Sequence, residues 1–100
     1  MRIPKHIDIF GCRFKVKFDR KLEGGDFSWK DETMTIGGRY GEEGKVLLHE
    51  IIEVILCELH FRFYGQEKSM PYTFHFDHDG LCPLHSELFR VLKENKIKFY

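Results

Sequence analysis

The chain has 100 residues, 42% of them hydrophobic and 15% aromatic, a composition that suits one compact domain and argues against a disordered tail. Sixteen basic and sixteen acidic side chains cancel to zero, so the overall positive field that draws proteins to nucleic acid is missing. No stretch approaches the roughly 18 apolar residues of a membrane span, and the odd cysteine set Cys12, Cys57 and Cys82 suits neither a disulfide framework nor a four-cysteine zinc cluster. A soluble protein of the reducing cytoplasm is expected, with neither nucleic acid nor membrane as partner.

From Ile7 to Phe18 the apolar side chains fall at Ile7, Ile9, Cys12, Phe14, Val16 and Phe18, with a change of phase at Phe10-Gly11. Two strands meeting at a turn, or one strand with a glycine bulge, would produce this alternation. Arg13, Lys15 and Lys17 fill the intervening positions and read as the solvated face of a strand. Phe27 to Lys30 and Thr33 to Ile36 flank Asp31-Glu32 at the spacing of a second hairpin, which ends at Gly37-Gly38. The pairs Gly24-Gly25 and Gly37-Gly38 lack a phosphate-loop pattern and read as turns.

A glycine-rich loop over 38–44 leads into the strongest element, a helix from Lys45 to Leu59. Val46, Leu47, Leu48, Ile51, Ile52, Val54, Ile55, Leu56 and Leu59 make it apolar almost all round, which demands burial on several sides. Phe61, Phe63 and Tyr72, Phe74, Phe76 alternate on either side of Gly65 to Pro71, so a third hairpin is expected to lay an aromatic face over that helix. Asp79-Gly80 and Pro83 mark the start of a last helix, carried by Leu81, Leu84, Leu88, Val91 and Leu92 until Asn95. The fold class that follows is α+β: an antiparallel sheet of hairpins packed on a central helix, with a second helix behind, in one domain spanning 1–100.

Polar residues on the central helix are few, and His49, Glu53, Cys57 and His60 fall at i, i+4, i+8 and i+11, one stripe along an apolar element. Burying an imidazole and a carboxylate without partners costs several kcal/mol, roughly, which a metal ion would offset. The i, i+4 spacing sets His49 and Glu53 one turn apart on the same side, as two helical zinc ligands require. Glu50 then projects beside the first ligand, where a metallohydrolase keeps the base that takes a proton from the activated water. His75, His78 and His85 are available as a third ligand, and Cys57 reads as an apolar filler. A plainer reading stays open, in which His49 and Glu53 are a hydrogen-bonded helical pair while Glu50 and Glu58 lie in solvent.

The run Leu47-Leu48-His49-Glu50-Ile51-Ile52-Glu53 resembles the signature helix of minimal gluzincin-like proteins of phage and bacterial type, small members of the zincin fold. In that group the second histidine of the metallopeptidase motif is sometimes a glutamate, as at Glu53. Phe76-Asp77-His78-Asp79-Gly80-Leu81 is similar to the segment that brings in a further histidine, so the resemblance favours His78 over His85 as the completing ligand. It implies a zincin-like fold, zinc held by His49, Glu53 and His78, Glu50 as catalytic base, and a peptide or protein as substrate. A non-catalytic metal-binding or protein-interaction module on the same fold is the alternative. The glutamate at position 53 and the short chain bear on proteolysis more than on metal binding.

Overall fold

The structure is a computed structural model that describes residues 2–60, 62–64, 72–74 and 78–97. The elements run β1 (His6–Ile9), β2 (Cys12–Asp19), β3 (Gly25–Ser28), β4 (Thr33–Gly37), α1 (Glu43–Glu58), β5 (Arg62–Tyr64), β6 (Tyr72–Phe74) and α2 (His78–Glu94). An α+β architecture is therefore in place. The phase change at Phe10-Gly11 is a two-residue hairpin turn: φ is +50° at Phe10 and +78° at Gly11, the left-handed pair that matches the twist of the flanking strands. The hairpin pairs Ile9 with Cys12 and Ile7 with Phe14. Ile7, Ile9 and Phe14 are buried, while Arg13, Lys15 and Lys17 face solvent as their alternation requires.

The second hairpin starts earlier than its aromatic residues suggest. β3 and β4 are joined by residues 29–32, with Asp31 N–H donating to Ser28 Oγ at 3.2 Å and Glu32 turning the chain at φ +53°. Trp29 thus leaves the strand, and its ring meets Phe14 edge-on at 5.1 Å.

The sheet corrects the expectation of purely antiparallel hairpins. Its strand order is β1-β2-β4-β3, and β2 runs parallel to β4, with Val16 beside Met34 and Phe18 beside Ile36. The two hairpins are antiparallel within themselves, but β3 goes to the outer edge and β4 returns between it and β2. Backbone bonds sew this crossing shut: Gly37 N–H to the Gly24 carbonyl at 2.7 Å, Gly38 N–H to that of Asp19 at 2.9 Å, and Arg39 N–H to that of Leu22 at 3.2 Å. β5 and β6 pair antiparallel as a separate ribbon, and β5 lies against α1. The aromatic face expected of that hairpin, and His75 beyond it, lie outside the described residues.

α1 buries Leu47, Ile51, Val54, Ile55 and Leu56 against Ile7, Ile9, Met34 and Ile36 of the sheet. It ends at Glu58 with Leu59 as its C-cap, and the next residue, His60, takes φ +62°, a left-handed conformation that closes the helix. His60 therefore leaves the polar stripe on which its spacing put it.

α2 begins at His78 and lays Leu84 and Val91 onto the core. Glu87 of α2 and Asn95 just past its end bond to the outer edge of β1. Ile9–Cys12 closes a two-residue hairpin, so the backbone groups of Asp8 point away from β2. The Asn95 amide accepts from Asp8 N–H at 3.1 Å and donates to the Asp8 carbonyl at 3.2 Å, acting as a one-residue strand. Glu87 accepts from Phe10 N–H at 2.8 Å. At Asp8 and Phe10 the outward backbone groups are thus already engaged, which blunts this part of the edge against an intruding strand.

Candidate metal centre

α1 presents three ligand-bearing side chains to one cleft. His49 is the outermost, with 68% of its side chain exposed, and its Nε2 lies 3.0 Å from Oε2 of Glu53, whose side chain is 18% exposed. This is the i, i+4 pair anticipated from spacing. Glu50 is 3% exposed, so it does not lie in solvent as the plainer reading required. One donor atom from each of His49, Glu50 and Glu53 falls within 4.8 Å of the others, and this group could hold a metal ion.

The fit can be tested on geometry. In a tetrahedral zinc site with bonds of about 2.0–2.2 Å, neighbouring donors stand roughly 3.3–3.6 Å apart. The His49–Glu53 separation of 3.0 Å needs only a small opening to reach that range. His49 and Glu53 offer one imidazole and one carboxylate, a mixed nitrogen and oxygen set that several divalent ions accept.

The cleft in front of the three residues has a volume of about 390 Å³ and is lined by Gly24, Gly25, Lys45, Val46, His49, Glu50 and Glu53. Gly24 and Gly25 are more than turn residues. A Cβ at Gly25 would stand 2.5 Å from the Thr35 carbonyl oxygen, 3.0 Å from Val46 Cγ1 and 3.3 Å from Glu50 Cγ. The missing side chain is what lets β3 approach α1 at Glu50. Gly25→Ala is expected to lower stability by about 1–3 kcal/mol, because the obstacle is backbone that must shift rather than a side chain that can rotate. Urea unfolding with a reduced midpoint at an unchanged slope would register it.

The remaining sequence candidates separate. His78 opens α2, is exposed, and is not part of the three-residue group. His85 is also exposed, and its Nδ1 lies 3.1 Å from the Leu81 carbonyl of the preceding turn, a bond within its own helix. Cys57 is half-buried on α1, and all three cysteines are free thiols. The Cys12 thiol is pushed up by burial and by the nearby carboxylates of Glu32, Glu58 and Asp8, which keeps it protonated and unreactive.

The turn at Gly24-Gly25 and the loop after Gly37 do more than connect: Gly24 lines the cleft, and Leu22, Glu23, Gly24, Gly37, Arg39, Tyr40 and Glu42 line a second pocket next to it. The paired glycines were the available signal, since two glycine pairs bracketing a hairpin permit two backbone segments to close on one helix. Comparisons of the chain with protein-family models, with curated proteins and with solved structures gave no match.

Proposed function

We propose that the chain is a zincin-like, zinc-binding domain of metallohydrolase type acting on a peptide or amide. The observation that carries this reading is the joint placement of His49, Glu53 and the buried Glu50 on one cleft-facing stretch of α1. His49 Nε2 and Glu53 Oε2 hold the metal in this reading, and His78 remains the completing protein ligand that the resemblance to minimal gluzincins implies. When bound, the ion supplies Lewis acidity, which acidifies water and polarises a carbonyl group. Glu50 accepts the water proton on its carboxylate and hands it to the departing amine.

The test has two parts. Protein purified without an affinity tag should carry about one equivalent of zinc per chain, and a metal analysis that finds none removes the reading. With zinc in place, Glu50→Gln is expected to lower the turnover of a quenched peptide library about 10²–10⁴-fold while leaving zinc content unchanged. His78→Ala should lower zinc affinity if His78 completes the site. The second reading, a non-catalytic metal-binding or protein-interaction module, draws on the 3.0 Å contact of His49 with Glu53, which pairs the two side chains without an ion. Zinc binding with no turnover in either the wild-type chain or Glu50→Gln would select it.

A further inference from the structure

We propose that the pocket beside the metal cleft is a subsite for a substrate carboxylate, with Arg39 as its specificity-determining residue. This rests on the metallohydrolase reading for its substrate, though the pocket itself can be tested without metal. The second pocket measures about 200 Å³ and shares Gly24 and Val46 with the metal cleft, so a ligand seated before His49 continues into it past these two residues. Its volume suits one side chain or chain end rather than a separate small-molecule ligand, for which pockets of about 300–1,000 Å³ are usual.

Arg39 is the cationic side chain that lines this pocket. Its backbone N–H is tied to the Leu22 carbonyl at 3.2 Å, which holds the residue at the wall. Its guanidinium carbon stands 5.6 Å from the centroid of the Tyr40 ring, which lines the same pocket, and the side chain is exposed and open to a ligand. Among the described residues Arg39 makes no ion pair, whereas Glu42 of the same wall is matched by Lys45 at 3.3 Å. A planar fork of donors beside a narrow pocket recognises a carboxylate in bidentate fashion. Glu23 and Glu42 also line the pocket and repel any anion, a dianionic phosphate more than a carboxylate, and Glu42 is offset by Lys45. The carboxylate could be an Asp or Glu side chain near the scissile bond or the terminus of the substrate chain.

Four peptides separate these cases: acetyl-Gly-Ala-Glu-amide, acetyl-Gly-Ala-Ala with a free carboxylate, acetyl-Gly-Ala-Gln-amide and acetyl-Gly-Ala-Lys-amide. Each is titrated into zinc-free and zinc-loaded protein, with amide shifts of Gly24, Arg39 and Gly41 as readout. At least one carboxylate peptide is expected to bind about tenfold more tightly than the glutamine peptide, and Arg39→Gln should erase the difference. Which of the two does so identifies the source of the carboxylate. Equal binding of the acidic and neutral peptides, tighter binding of the lysine peptide through Glu23, or a preference that survives Arg39→Gln would overturn the proposal. An Arg39-dependent preference in a chain that takes up no zinc would support the subsite while removing the metal reading. Zinc uptake without the preference would do the reverse.

Discussion

Zinc added to the metal-stripped chain is expected to raise its melting temperature by roughly 10–20 °C when free zinc is about 100 times the Kd. The size follows from linkage: a ligand that binds only the folded chain at that excess contributes about 2.7 kcal/mol, and a domain of this length shifts by about 4–8 °C per kcal/mol. His49→Ala should abolish the shift. The variant is informative because His49 lies on the surface, with 68% of its side chain exposed, so its removal leaves the core intact. Losing its helical partner bond to Glu53 costs only about 0.2–0.5 kcal/mol. Glu50→Gln, which keeps shape and size, should preserve most of the shift. Thermal scans of the three proteins with and without zinc provide the check, and a wild-type chain that shows no shift contradicts the metal centre.

Glu87→Ala is expected to cost about 2–3 kcal/mol, a comparable fall in melting temperature, through a contact that does not involve the cleft of His49 and Glu53. Glu87 is 7% exposed, accepts from Phe10 N–H at 2.8 Å and from Arg90 Nε at 2.8 Å, and forms a second contact with the Arg90 guanidinium. Truncating it strands the turn amide and leaves Arg90 with Glu94 alone. The loss falls short of the full cost of a broken buried pair because the Arg90 side chain is 37% exposed and water can reach it.

The same residue sets a pH dependence. Burial by itself raises the Glu87 carboxyl, but the Arg90 hydrogen bond, the Phe10 N–H and the Arg90 charge outweigh it and hold the group below its ordinary value of 4.5. A carboxyl depressed in the folded state stabilises fully above its unfolded value and loses that contribution as pH falls through the lower folded value. The stability gap between wild type and Glu87→Gln should therefore be level at neutral pH and narrow as the solution is acidified below 4.5. A gap that stays constant through that range would show that the charge on Glu87 has no part in holding α2 to the β1–β2 turn.

Much of the local structure is a direct consequence of residue order. Alternation places Ile7, Ile9 and Phe14 inward and Arg13, Lys15 and Lys17 outward, and its change of phase calls for a turn or a bulge at Phe10-Gly11, where the structure has a two-residue turn. The apolar run from Val46 to Leu56 can be buried only as a helix covered on several sides, and His49 and Glu53 meet because i and i+4 are neighbours on any helix. These are short-range constraints, acting within a turn or a hairpin.

Three features are decided only when the elements pack. Alternation in Val16 to Phe18 and Met34 to Ile36 is satisfied equally by either strand direction, so the parallel pairing of β2 with β4 depends on where the 20–24 crossing can go. The burial of Glu50 depends on which side of a nearly all-apolar helix meets β3, and that is set by the absence of a side chain at Gly25. The pocket of Arg39 exists because residues 22–24 and 37–39, distant along the chain, are joined by backbone hydrogen bonds that leave no periodic trace in the sequence. By itself, then, the sequence determined the elements and the His49–Glu53 pair, because both arise from neighbours within a few residues. Tertiary packing decided the sheet order, the environment of Glu50 and the shape of the cleft, because those depend on contacts whose partners lie far apart in the chain.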